Sequence, residues 1–365
     1  MSERGEEPLH NLDLSATKAT SDTAASVRKL NLREIAKRAR VSTATVSRAI
    51  NRIPTVNPYL AKRVWKVVED LGYYPNTQAR ALVSGHSRIL GLIVSELTNA
   101  FFAEVVQAFE GLAVQHGYEI LLSSTADDRR RMELVIRRMI ERRVDGVAAL
   151  TFSIEESIIK DLSIHSLPVV LLDSTSQIPG IRSVCIDYQN GIRQAVQHLA
   201  ALRHGRIAFV GSPEHLTCAH VRKRAFQQAM AEIGLEAPRE LVLTGDHSPE
   251  SGMKALRELW CLRTRPTAIL CSNDMTATGV LAEAYECGIS VPHQLSVVGF
   301  DDIGPAQFTA PPLTTVRISQ TDLAIRAFHM LTNRDKPSSS SDEYVVKTSL
   351  VLRRSTALQP RSKGE

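Results

Sequence analysis

The spacing of apolar residues changes twice along the chain and divides it into three stretches. Residues 1–29 show no period and are rich in Ser, Thr, Ala and charge. Such a segment buries too little apolar surface to offset its chain entropy, so a disordered tail is predicted. From Leu32 the period is helical: Leu32, Ile35, Ala36 and Ala39 share one face. Ser42 offers an N-cap hydroxyl for a second helix, with Val46, Ala49 and Ile50 inward and Thr43, Ala44, Ser47 and Arg48 outward. Asn57 and Pro58 supply the cap and first-turn proline of a third, whose stripe of Leu60, Val64, Val67, Val68 and Leu71 closes at Gly72. The pattern predicts three short helices around one small core. A short helical stretch at residues 77–83 and a Ser84-Gly85-His86-Ser87 linker follow.

From Ile89 the texture is different. Continuous apolar runs, among them ILGLIVS (89–95), YEILLSS (118–124), DGVAALTF (145–152) and PVVLLD (168–173), alternate with amphipathic helical stretches. SVCID (183–187), RIAFVGS (206–212), TAILCSND (267–274) and LSVVGFDD (295–302) continue the series. Apolar strands separated by helices mean parallel sheets covered on both faces. The stretch exceeds what one sheet and one core usually organise, so two α/β lobes are predicted.

Charge sharpens this division. Residues 30–88 hold eleven Lys or Arg against Glu34, Glu69 and Asp70, giving 11 − 3 = +8, which leaves 5 − 8 = −3 for the rest. A basic module suited to a polyanion is implied, although charge alone does not separate DNA from RNA or a membrane surface. No run of about 18 apolar residues occurs and the first residues lack a signal peptide's apolar core, so no membrane partner and a cytoplasmic, nucleoid-associated protein are expected. Five scattered cysteines without CxxC spacing indicate neither a disulfide frame nor a metal site. No nucleophile elbow, P-loop, HExxH pair or GxGxxG is present, so the reading is a non-enzyme without cofactor. A solute-binding protein would share the two lobes but not the basic head.

Several motifs in order, LREIAKRARVSTATVSRAIN (32–51), VVEDLGYYPN (67–76) and ARAL (79–82), make the chain resemble the lactose/galactose repressor (LacI/GalR) family from residue 30 to about 358. The resemblance implies a helix-turn-helix head with a hinge helix, then a two-lobed, periplasmic-binding-protein-like α/β domain. Its function would be a repressor that binds a palindromic double-stranded DNA operator as a homodimer, under the control of a small-molecule effector such as a sugar. The second helix of such a head lies in the major groove. Thr43 and Ala44 match the base-reading positions and suit thymine methyls or close fit; Arg48 suits a guanine edge or a phosphate, and Ser47 and Asn51 share the surface. Leu82 matches a hinge leucine that wedges into the minor groove, an unstacking that bends DNA toward the protein. Arg40 stands where the family usually has glycine, and a non-glycine there can require positive φ.

In the sensing domain the resemblance points to loops at strand ends. Phe101 and Phe102, in TNAFF, match a loop whose aromatics stack on ligand, Phe102 fitting the helix core stripe equally well. Arg222 matches an arginine that holds ligand oxygens, and Asp301 an aspartate accepting from ligand. Asn273 would face the cleft while Asp274 caps the next helix; His247 stands where many relatives place a closing aromatic. The implied boundaries are a head at 30–76, a hinge and linker at 77–87 and a sensor at 88–358, with a tail at 359–365. One lobe comprises 88–187 with 319–345, the other 188–318 with 346–358. Ligand preference for one lobe arrangement would shift operator affinity, downward for an inducer and upward for a corepressor. A partner protein could take the effector's role.

Overall fold

The computed structural model describes residues 31–51, 53, 55–73, 85–152, 154–165, 167–174, 178, 180–333 and 343–359. The tail at 1–29, the hinge helix with Leu82 and residues 360–365 lie outside the described residues. The chain divides into two units, Met1–Arg80 and Ala81–Glu365.

The first unit holds α1 (Leu32–Ala39), α2 (Thr43–Ile50) and α3 (Pro58–Asp70). Each begins on a side-chain cap: Asn31 accepts from Glu34 N–H at 3.1 Å, Ser42 from Thr45 N–H at 3.1 Å and Asn57 from Tyr59 N–H at 2.9 Å. A cap of this kind contributes about 1 kcal/mol, a large share for helices this short. Ile35, Ala36, Ala39, Val46, Ala49, Ile50, Val64 and Val68 form the core. Leu32, predicted in the same stripe, stands at the first position of α1 with 36% exposure and lies outside this core. Arg40 is left-handed at φ 49°, and Val41 N–H bonds back to Ala36 at 3.0 Å. Arg63 of α3 donates to the carbonyl of Ala39 at 2.5 Å, so a tertiary contact fastens the strained turn.

The second unit carries twelve strands among the described residues. In chain order they are β1 (Ile89–Val94), β2 (Glu119–Ser124), β3 (Gly146–Leu150), β4 (Val169–Leu172), β5 (Ile181–Ile186), β6 (Ile207–Gly211), β7 (Val242–Thr244), β8 (Ala268–Cys271), β9 (Ser296–Asp301), β10 (Thr314–Ile318), β11 (Glu343–Val346) and β12 (Thr348–Val351). The helices between them are α4 (Ala100–Gln115), α5 (Arg129–Glu141), α6 (Glu156–Ile164), α7 (Tyr188–Ala201), α8 (Thr217–Glu232), α9 (Pro249–Trp260), α10 (Asp274–Glu286) and α11 (Gln320–Thr332). One sheet runs β11-β5-β4-β3-β1-β2 and the other β12-β10-β9-β8-β6-β7.

The chain passes between the sheets at Asp187, at Ser319 and at Lys347. Beyond the first passage α7 packs on β10 and β12; beyond the second, α11 returns to α4, β3 and β4. The all-parallel expectation fails at one place, where β12 pairs antiparallel with β10. Only Lys347 separates β11 from β12, which leaves no room for the crossover helix that a parallel pairing requires.

One close approach fixes the second lobe around its strand ends. A Cβ at Gly279 of α10 would lie 1.8 Å from the Pro249 carbonyl oxygen, and one at Gly252 of α9 would lie 2.0 Å from that of Thr276. The two backbones touch because both positions lack a side chain. Gly279→Ala is expected to lower stability by about 1–3 kcal/mol through overpacking. A thermal unfolding midpoint matching that of wild type would show that the two helices can separate without loss.

Candidate functional site

Each unit carries one surface of interest. In the first, the cap at Ser42 turns the opening of α2 outward. Thr43, Ala44 and Arg48 are exposed, Ser47 and Asn51 half-buried, while Val46, Ala49 and Ile50 are buried behind them. Asn51 donates to Ser47 Oγ at 3.5 Å, a weak tie between two neighbours on this face. The result is a helix N-terminus that presents short side chains and one arginine on a rigid three-helix base. That geometry lets a helix backbone approach another surface closely while the guanidinium reaches further.

In the second unit, Arg222 of α8 is 1% exposed. Its Nη1 donates to the carbonyl of Ser272, just beyond β8, at 2.7 Å. Three rings surround the guanidinium carbon: Tyr188 at 4.5 Å, Phe300 at 5.1 Å and Phe152 at 5.6 Å from their centroids. Phe152 follows β3 of the first sheet, Phe300 lies on β9 of the second, and Tyr188 opens α7 at the first passage. A charge buried among π faces keeps attraction that water would otherwise supply. Among the described residues, Nε of Arg222 and the Ser272 hydroxyl nevertheless have no hydrogen-bond partner. Buried donors without acceptors are costly, and they mark where an oxygen-rich ligand could bond.

Carboxylates flank this arginine. Asp173, after β4, accepts from Ile186 N–H at 2.8 Å and from the Tyr188 hydroxyl. Asp301 ends β9 with φ 111°, a conformation that costs energy outside glycine. Burial pushes the Asp301 carboxyl up to about 7 against the lowering field of Arg222, with Glu104 adding to the rise. Asp173 is pushed up to about 6, again mainly by burial and against Tyr188, Ile186 and Arg222. Glu104 itself, on α4, accepts from Gly304 N–H at 2.7 Å and so joins the two lobes.

His247 is half-buried with φ 69°, bonds to Ser212 Oγ at 2.8 Å and lies 6.4 Å, ring to ring, from Phe152. Burial and then Arg222 lower its pKa to about 3, so the imidazole is neutral. Asn273 holds it from behind, donating to the His247 carbonyl at 3.1 Å.

The capping assignment at β8 is reversed. Asn273, not Asp274, caps α10 by accepting from Thr276 N–H at 2.9 Å. Asp274 is buried as the first helical residue, accepting from Ile303 N–H at 2.9 Å and Thr315 Oγ1 at 2.5 Å, and so ties β10 to the turn after β9. Phe101 and Phe102 are each 2% exposed, and Phe102 lies tilted at 57° to Phe152 with 5.6 Å between ring centroids. They stand behind the ring that faces Arg222.

Arg222, Asp301, His247 and Asn273 thus converge. Sequence reasoning missed Phe152, Asp173, Tyr188, Ser212 and Phe300. Asp173 ends the apolar run VVLLD as Asp301 ends VVGFD, and that shared strand-end position was the available signal.

Known proteins are similar to the chain over most of its length. The family model for "Bacterial regulatory proteins, lacI family" matches residues 31–76, and that for a periplasmic binding protein-like domain matches 196–356. Catabolite control protein A of Priestia megaterium is 34% identical over 303 residues, covering 82% of this chain and 90% of that protein. The HTH-type transcriptional repressor PurR of Klebsiella pneumoniae strain 342 is 31% identical over 333 residues, covering 90% and 97% respectively. Among solved structures, the lac repressor dimer bound to operator and the anti-inducer ONPF aligns with a TM-score of 0.80 at 26% identity, over 90% of this chain and 99% of that one. A CelR–cellobiose complex aligns with a TM-score of 0.68 at 26% identity, over 90% and 100%.

The raised carboxyls make a pH prediction. Between the ordinary value of 3.8 and about 7, the native chain holds more proton at Asp301 than the unfolded chain does. Stability contributed by that proton is present below the unfolded value and is lost as pH rises through the folded one. The unfolding midpoint of Asp301→Asn should therefore fall less than that of wild type as pH rises across this window. Parallel curves would show that Asp301 does not titrate there.

Proposed function

Because the chain belongs to the lacI family of bacterial regulatory proteins, and is thus a DNA-binding transcriptional regulator, we propose a specific role for each of its two surfaces. The protein is a repressor that binds a near-palindromic operator as a homodimer. The observation that carries this reading is the exposed opening of α2, set on a basic and internally braced head. Placed in the major groove, Thr43 and Ala44 meet thymine methyls, Arg48 reaches a guanine edge or a phosphate, and Ser47 and Asn51 fill the flank. Leu82, on a hinge helix, wedges into the minor groove at the centre of the site. In this reading the head spans 30–76, the hinge and linker 77–87, and the sensor 88–358.

The effector is a small polar molecule, a sugar or related metabolite, held between the lobes. Support comes from the unpartnered donors at Arg222 and Ser272 and from the two flanking carboxylates. Arg222 and Asp301 bond its oxygens, Asn273 and His247 close one side, and Phe101 and Phe102 back the aromatic wall through Phe152. The site binds and does not catalyse, and the protein works in the cytoplasm on the nucleoid. No helix among the described residues is long and apolar enough to cross a membrane. An effector that favours the lobe arrangement compatible with two folded hinge helices strengthens operator binding, and one that favours another arrangement weakens it.

Selection of bound sequences from random duplex DNA tests this reading. The full chain should recover a near-palindrome with a central pyrimidine-purine step, the kind most readily kinked. Leu82→Ala should weaken binding to it about tenfold or more, in line with a lost wedge worth more than 1 kcal/mol. Recovery of DNA without sequence preference would sink the assignment.

A further inference from the structure

α5 has the sequence RRRMELVIRRMIE, and its buried residues Met132, Val135, Ile136 and Met139 share one core with Ile93, Val147 and Ala149 of the first sheet. The opposite face is less ordinary. Leu134 is 53% exposed. The residues three and four positions before and after it are Arg131, Arg130, Arg137 and Arg138, and all four are exposed. On a helix these are the nearest surface neighbours of position 134, so one apolar side chain stands inside a ring of four guanidinium groups.

Nothing in the described chain neutralises that ring. The nearby Glu133 is held by Arg129 at 3.1 Å, and Arg129 also reaches Glu155 at 3.0 Å. Among the described residues none of the four ring guanidiniums has a hydrogen-bond or ion-pair partner, and the exposed Glu141 pairs with neither Arg137 nor Arg138. The N-cap carboxylate of Asp128 accepts from Arg131 N–H at 2.7 Å and meets the macrodipole there, but it leaves the guanidinium groups of Arg130 and Arg131 unpaired among the described residues. Arg138 and Arg142 set two like charges one turn apart.

We infer that this face of α5 docks an acidic protein segment, which sets an apolar side chain against Leu134 and carboxylates against Arg130, Arg131, Arg137 and Arg138. An apolar centre with a polar rim, rich in arginine, is the composition of a protein interface. Carboxylates accept both arms of a guanidinium in parallel, which adds geometry to charge. A nucleic-acid backbone would satisfy the arginines but would have no use for a leucine at their centre. This surface shares no residue with α2 or with the Arg222 cluster, so it adds a third partner to the operator and the effector.

The test uses the full chain and fluorescence anisotropy of a labelled helix-forming peptide of about 15 residues, long enough to hold two turns on each side of its centre. It carries one central Leu with Glu three and four positions either side; a second peptide has Ser in place of that Leu. Because the basic head also attracts anions, the reading is the difference between chain variants. Wild type should bind the Leu peptide about tenfold tighter than the Ser peptide, the scale of one buried apolar contact. Leu134→Ala should abolish that preference, and Arg137→Glu with Arg138→Glu should weaken binding of both peptides about tenfold or more. Unfolding midpoints close to that of wild type would show the variants folded. Equal affinity for both peptides, no effect of Leu134→Ala, or no binding would overturn the inference. So would a labelled random duplex whose binding is weakened by the arginine reversal, with the Leu peptide unaffected, since the face would then hold nucleic acid.

Discussion

A guanidinium removed from water has to find its solvation inside the fold, and Arg222 is such a group. The effective cost of burying one unpaired ion is several kcal/mol. The Ser272 carbonyl, the faces of three aromatic rings and the field of Asp301 offset that cost and hold the charge against burial. Those groups come from both sheets and from the passage between them, so the lobes share one charge. A change in lobe arrangement would change the environment of Arg222, and a ligand bound there would shift the arrangement only through a difference in affinity between the two states.

The scaffold around this charge is built to hold strand ends in place. Asp173 and Asp301 both end apolar strands in left-handed conformations, φ 51° and 111°, where the surrounding structure has to enforce the backbone. The crossing of α9 and α10 at two glycines brings the loop carrying His247 against the cap residue Asn273. Asp274 then ties β10 to the turn after β9, beside Asp301.

Legibility in the sequence followed the range of the physics involved. The head was readable almost residue by residue, because N-caps, the Pro58 start, the Gly72 stop and the core stripe act within a few positions of one another. Even Arg40 announced its left-handed turn. Apolar runs likewise exposed the long parallel strands. The strands β7, β11 and β12 lie at sheet edges and are only partly buried, so they carry no continuous apolar run. The Arg222 cluster was only partly visible, since Phe152, Asp173, Tyr188 and Phe300 meet it through sheet packing rather than along the chain. At Asn273-Asp274 two equally good capping residues stood side by side. Burial under Thr315 and Ile303 decided between them, and local propensity does not contain that information.

The claim that Arg222 links ligand binding to lobe arrangement is tested most directly by a thermal-shift panel of neutral sugars, nucleobases and small organic acids on wild type and Arg222→Lys. Any compound that raises the midpoint is then followed by operator titration of both proteins. The account predicts that such a compound shifts wild-type operator affinity between about fivefold and a hundredfold, the usual size of an allosteric coupling. It also predicts that Arg222→Lys, which keeps the charge but loses the planar fork, binds operator alone like wild type and loses the shift. A ligand response that survives intact in Arg222→Lys would contradict the account.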